Sequence, residues 1–197
     1  MVSNNNDNAS GDTGSMLPNA KTKRYDRQLR IWGLHGQNAL EGAQICLLHS
    51  GPTGSETLKN LVLGGIGGFT VVDDAIVKQS DLGNNFMVAA SHIGRPRAAA
   101  VSDALKELND AVEGSFVDAD PVRLIDEQPG FFTRFTIVVA TQLEEAAARK
   151  LDSLCRAANV PLMLARSYGL IGTVRVRDPI GGRDPIGGLR GTVCNVM

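Results

Sequence analysis

Residues 49–56, HSGPTGSE, have the makings of a phosphate-binding turn. An apolar run, AQICLLHS (43–50), leads into them, and a helix-like stretch, SETLKNLVLGG (55–65), leads out. At such a strand-to-helix turn, the pattern Gly-x-Gly-x-x-Gly lets backbone amides approach a dinucleotide's phosphates at a helix N-terminus. In register, the three glycine positions are His49, Gly51 and Gly54. The first glycine is lost. The other candidates for chemistry, Cys46, Cys155 and Cys194, have neither disulfide nor metal-ligand spacing. Cys46 lies inside the apolar run with no His or Asp pattern beside it, so it reads as a small buried hydrophobe rather than a nucleophile. Cysteines used this way fit a reducing compartment.

The elements that must hold the turn alternate in the βα sense. AQICLL is continuous and apolar, as a parallel strand buried on both faces should be. Thr53-Gly54-Ser55-Glu56 has the capping-box pattern that opens a helix, with Leu58, Leu61 and Val62 inward and Gly64-Gly65 as its stop. GFTVVDD (68–74) is a second strand. RPRAAAVSDALKELND (95–110) is a helix with Pro96 in its first turn and Ala98, Val101, Leu105 and Leu108 inward. Strands GSFVDA (114–119), FTIVVAT (135–141) and VPLMLAR (160–166) follow, with a helix over 142–159 before the last of them. The whole predicts an α/β fold, a doubly wound, mostly parallel, Rossmann-like sheet with helices on both faces.

Ahead of the first strand, residues 23–43 read as a helix broken near Gly33 and Gly36; behind the last, GLIGTVRVR (169–177) reads as one more strand. RDPIGG then occurs twice, at 177–182 and 183–188, which predicts an irregular Pro/Gly-rich tail over 177–197. Residues 1–22 are polar and read as a disordered arm without the apolar middle of a signal peptide. The chain has 197 residues, 43% hydrophobic and 21% charged, with a formal net charge of −1. That balance is typical of a globular protein and argues against a polybasic nucleic-acid or membrane surface. No apolar run approaches the ~20 residues of a membrane span.

Several stretches together carry a family resemblance. YDRQLRIWG (25–33), LKNLVLGGIGGFTVVDD (58–74), DLGNNF (81–86), IGRPRA (93–98) and FTIVVATQL (135–143) resemble the ThiF/MoeB-like adenylation fold of the ubiquitin-like-protein activating enzymes. The likeness runs from about residue 23 to 176, which implies the N-terminal part of a pseudo-adenylation domain, incomplete and truncated for its family. GNNF and FFTRFTIVVATQL resemble the regulatory, non-catalytic subunits that serve the Nedd/Rub modifier and are known in plants from auxin resistance. The resemblance implies a catalytic partner subunit, a Nedd/Rub-type ubiquitin-like modifier, and a location in nucleus and cytoplasm.

Active members of that family bind ATP and magnesium, and this chain departs from their pattern residue by residue. His49 replaces a loop glycine, Ala75 an acid, Asn84 an arginine, Arg97 the catalytic lysine and Glu144 the metal aspartate. Gly51, Gly54, Asp73 and Arg97 are the degenerate remnant of cofactor binding. Losing a cation at Asn84 and close approach at His49 costs ~3–6 kcal/mol, or ~10²–10⁴ in affinity. The expectation is therefore no ATP, no metal and no catalytic residue of this chain's own, with Asp73 in a structural role. In the family the non-catalytic half lends an N-terminal-helix arginine to its partner's ATP. Arg27 of YDRQL matches it, with arginine-finger logic. Against that, Lys21, Lys23, Arg24 and Arg30 make Arg27 one of several charges on a basic helix. Two other readings stand beside the scaffold subunit: a self-sufficient homodimeric adenylyltransferase of the sulfur-carrier type, and a plain dinucleotide-binding module.

Overall fold

The strand Gln44–Leu48 (β1) shows why its apolar run is unbroken rather than alternating. Successive side chains leave a strand on opposite faces. Ile45 and Leu47 enter one core, while Cys46 and Leu48 enter a second core on the other side of the sheet. A strand buried on both faces belongs in the middle of a sheet covered by helices on both sides. The computed structural model, which describes residues 23–177 and 192–196, has it there.

The other strands are β2 (Gly68–Val72), β3 (Glu113–Val117), β4 (Ile137–Thr141), β5 (Leu162–Tyr168), β6 (Ile171–Arg177) and β7 (Thr192–Val196). They line up in the order β3-β2-β1-β4-β5-β6-β7. β1 to β5 are parallel, and β6 and β7 close the sheet antiparallel. Helices are α1 (Asp26–Glu41), α2 (Pro52–Gly64), α3 (Arg97–Leu108), α4 (Pro121–Glu127) and α5 (Glu145–Ala157). α2 and α3 bring Leu58, Val62, Val101 and Leu105 onto Ile45, Leu47, Phe69 and Val71. α4 and α5 bring Leu124, Ile125, Leu151 and Cys155 onto Cys46, Leu48, Val138 and Leu162. The fold is the doubly wound, mostly parallel α/β sheet that the alternation of elements predicts.

Several local expectations differ. α2 starts at Pro52 with Gly51 as its N-cap, so the capping box at Thr53–Glu56 does not form. Proline at the first helical position is already set to helical φ and starts the helix two residues earlier than the capping box would. The Ser55 hydroxyl instead reaches Asn85 Oδ1 at 2.9 Å. Leu108, expected inward, is 41% exposed because α3 ends there and Asn109 turns in instead. α1 breaks at Gly33 alone; Gly36 stays helical, with the Trp32 ring lying over the place a Cβ would take. The irregular tail expected over 177–197 includes a strand, since Thr192–Val196 pairs with β6. Residues 178–191 lie outside the described residues, as does the expected disordered arm over 1–22.

Candidate functional site

Sheet order places a crevice at the carboxyl ends of β1 and β4, where the crossovers diverge; open α/β sheets hold their ligands at such a point. Here two hydrogen bonds tie the turn after β1 to the end of β4. His49, directly after β1, sits at φ 62°, the left-handed backbone conformation that the glycine pattern anticipates. Histidine reaches that region more readily than most side chains. Its Nδ1 donates to the Thr141 carbonyl at 2.9 Å, and Thr141 Oγ1 donates back to the His49 carbonyl at 2.7 Å.

The two surviving glycines are under different constraints. A Cβ on Gly54 would stand 2.3 Å from the His49 carbonyl oxygen and 2.9 Å from Thr141 Oγ1, so the packing of α2 on the turn requires glycine. A Cβ on Gly51 would meet nothing within 4 Å. No contact among the described residues asks for it.

Asp73 follows β2 and is fully buried. Its Oδ2 accepts from Ser50 N and Ser50 Oγ, both at 2.7 Å, and from Arg97 Nε at 2.9 Å. Its Oδ1 accepts from Ala75 N at 3.0 Å and Arg97 Nη2 at 3.2 Å. Burial by itself pushes the Asp73 carboxyl up, but the Arg97 guanidinium, the Ala75 amide and Ser50 outweigh it and hold the group below its ordinary range. Arg97 also lies 3.7 Å from Asp81 Oδ1, and its side chain is 17% exposed. Its placement comes from the backbone: Arg97 N donates to the Ala75 carbonyl at 2.7 Å, and Ile76 pairs with Pro96. The two remnant residues that would face a ribose and a phosphate therefore face each other.

The remaining positions do not join them. Asn84 is exposed at the end of a 3₁₀ turn (Gln79–Gly83), and Glu144 is exposed at the start of α5. Among the described residues, no three His, Cys, Asp or Glu side chains are grouped to hold a metal ion. Asn85, beside the degenerate Asn84, was not singled out by its sequence pattern. It is 2% exposed, donates to the Ser50 carbonyl at 3.0 Å, and accepts from Ser55 Oγ and from Met87 N. It ties the glycine turn to the following loop, and only its place inside DLGNNF could have hinted at this.

Arg27 lies elsewhere. The N-terminal half of α1 rests on the far ends of α2 and α3: Tyr25 is 4% exposed against Gly65, and its hydroxyl accepts from Asn109 Nδ2 at 2.9 Å. Gln28 donates to the Gly64 carbonyl, and Arg24 to Asn109 and Asp110. These anchors belong to the amino-terminal end of the sheet, beside the starts of β2 and β3. α2 alone separates Gly64 from the glycine turn by 13 residues, which is ~20 Å of helix. Of the basic residues grouped with it, Arg24 is held by Asp110 and Arg30 by Asp26, while Lys21 falls outside the described residues. Arg27 is exposed and has no hydrogen bond or ion pair among the described residues.

The burial of Cys46 pushes its thiol up, and burial takes that of Cys155 to about 12, so neither is a nucleophile at neutral pH.

Comparison with known proteins fits this arrangement. The chain is 61% identical over 156 residues to the NEDD8-activating enzyme E1 regulatory subunit AXL of Arabidopsis thaliana, covering 79% of the chain and 30% of that protein. It is 51% identical over 156 residues to the NEDD8-activating enzyme E1 regulatory subunit of Gallus gallus, covering 79% and 29%. It thus spans about three-tenths of the length of these relatives. Among solved structures it superposes on PaaA with a TM-score of 0.76 at 16% identity, over 86% of this chain and 58% of that one, a likeness of fold alone. The profile of the ThiF family matches residues 25–185, a stretch that contains both the stitched glycine turn and the YDRQL helix, and the chain belongs to that family.

Proposed function

We propose that the chain is the nucleotide-silent half of a two-subunit activating enzyme. In this reading it is the N-terminal domain of a regulatory subunit acting in nucleus and cytoplasm. It pairs with a catalytic subunit that holds ATP and magnesium, adenylates a Nedd/Rub-type ubiquitin-like modifier and links it as a thioester. The high identity to proteins named as NEDD8-activating enzyme E1 regulatory subunits supports the assignment.

The observation that carries it is the Asp73–Arg97 pair. A carboxylate that accepts five hydrogen bonds from its own chain has no lone pair aimed at a ribose, and an arginine spent on that carboxylate neutralises no phosphate. His49 fills the turn and ties it to β4. These internal pairings support a chain that leaves ATP to its partner.

Arg27 supplies the contribution in trans. It is exposed, unpaired among the described residues, and carried on the opposite end of the sheet from the chain's own turn. A guanidinium delivered to a partner's transferring phosphate neutralises developing charge and lowers the barrier by a few kcal/mol.

Two measurements test this. Calorimetric titration of the chain with ATP and magnesium is expected to give no saturable heat; a micromolar dissociation constant would restore the self-sufficient adenylyltransferase. In a full-length regulatory subunit carrying this domain and paired with its catalytic subunit, Arg27→Ala is expected to slow ATP–pyrophosphate exchange about 10²-fold or more without dissociating the pair. Lysine recovers only part of the rate, because a point charge lacks the planar fork. Equal rates for all three would remove the trans role.

A further inference from the structure

The break in α1 is built from more than one residue. Gly33 sits at φ 68°, ψ −177°, a backbone region essentially reserved for glycine. A Cβ there would meet nothing within 4 Å, so the demand for glycine is one of backbone conformation and not of space. Three residues on, a Cβ at Gly36 would stand 2.6 Å from Trp32 Cδ1; that missing side chain makes room for the indole. Trp32 Nε1 donates across the break to Gln37 Oε1 at 3.4 Å, and Gln37 is 3% exposed.

Each half of α1 is fastened to the domain separately. The first half is held by Tyr25, Arg24 and Gln28 on the ends of α2 and α3. The second half is held by Leu40, whose side chain packs against the core and whose carbonyl accepts from Gly67 N at 3.1 Å, while buried Gln37 bonds within α1 to Trp32 and Glu41. The break at Gly33 redirects the chain between the two sets of anchors. Arg27 lies on the first half, between Tyr25 and Gln28. Ile31 and Leu34, which flank the break, are 77% and 69% exposed, so neither fixes the angle by burying itself in this domain.

We propose that Gly33, with Trp32 and Gly36, is a rigid joint that aims the first half of α1, and that Gly33 is a positioning residue for Arg27. This rests on the trans role of Arg27 given above. Rigid placement matters because a misplacement of about 1 Å can cost about a hundredfold in rate.

The test is a double-mutant cycle in the full-length heterodimer, read by pyrophosphate exchange and checked for assembly by light scattering. Gly33→Ala is expected to lower kcat ten- to a hundredfold, with the KM for modifier unchanged. In the Arg27→Ala background the same change is expected to have no further effect, since there is no longer a guanidinium to misplace. Should Gly33→Ala fail to assemble, the cycle is run with Gly36→Ala, whose Cβ would stand within 3 Å of Trp32 Cβ, Cγ and Cδ1 and so disturbs the joint from its other side. A wild-type rate for the joint variant beside a slow Arg27→Ala overturns the joint and leaves the trans arginine standing. Losses that multiply in the double variant also overturn it, because the joint would then act on something other than Arg27. A wild-type rate for Arg27→Ala removes the trans reading and the joint together.

Discussion

Replacing the Asp73 carboxylate by an amide of the same shape separates a structural acid from a ribose-binding one. Asp73 accepts five hydrogen bonds on two oxygens. Asparagine keeps one acceptor oxygen and turns an NH₂ toward donors, so either the Ser50 and Arg97 Nε side or the Ala75 and Arg97 Nη2 side is stranded. Removing one partner of a buried ion pair costs ~3–5 kcal/mol. Arg97 retains 17% exposure and Asp81 at 3.7 Å, which places the expected loss near ~3 kcal/mol, at the lower end of that range. For a domain of this length that lowers Tm by ~6–12 °C. A ribose ligand, by contrast, would leave the folding of the free protein nearly unchanged when altered.

The assay is urea unfolding of wild type and Asp73→Asn at neutral pH, followed by circular dichroism. A companion Asp73→Asn/Arg97→Leu double variant is expected to recover part of the loss by removing the stranded guanidinium. Acid sharpens the contrast. The folded-state pKa of Asp73 is held below its unfolded value, so its contribution is present above the ordinary carboxylate range near ~3.9 and lost as pH falls through the lower folded value. Asp73→Asn should therefore flatten the acid limb of the stability curve. A loss under ~1 kcal/mol, within the range of an ordinary substitution, would refute the buried-pair argument.

Two further outcomes follow from the same geometry. Gly54→Ala should destabilise the fold by ~2 kcal/mol or more, through its 2.3 Å approach to the His49 carbonyl, whereas Gly51→Ala should stay within ~0.5 kcal/mol; equal urea midpoints for the two would contradict this. In a Cys194→Ser background, Cys46 and Cys155 should resist a thiol reagent until urea unfolds the chain, because both are fully buried; rapid labelling under native conditions would refute it.

The central strands β1, β2 and β4 were legible because they are buried on both faces and announce themselves as unbroken apolar runs. What escaped depends on contacts distant in sequence. His49 looks like a lost glycine in the chain order; that it adopts the same backbone conformation and stitches to Thr141 needs a partner 92 positions away. Asp73 and Arg97 were each legible as remnants, but their pairing is set by the turn that lays 75–77 beside 94–97. The seven-residue helix α4 was missed although its start is written in the sequence: Asp120 caps it by accepting from Val122 N, and Pro121 follows at the first position. β7 could not be foreseen in a tail of turn-forming residues, because its strand pairing comes from β6.

The two surviving glycines and Arg27 together separate what the fold needs from what a partner would need. Gly54 is kept by packing: without it α2 cannot close on the turn. Gly51 answers to no contact among the described residues, and Asp73 and Arg97 satisfy each other. A chain that leaves nucleotide to its partner, as proposed, need not be looser for it, because the same atoms pair internally. Arg27 obeys the opposite logic. Its neighbours Arg24 and Arg30 are paired, its helix is anchored on both sides of a glycine-only break, and yet its own guanidinium has no partner among the described residues. Some ~20 Å of helix separate its end of the sheet from the chain's own turn. A charge carried on that end of the sheet is out of reach of a phosphate at the chain's own turn, so the proposed role of Arg27 asks for a phosphate held by another subunit, the arrangement a regulatory subunit and its catalytic partner would provide.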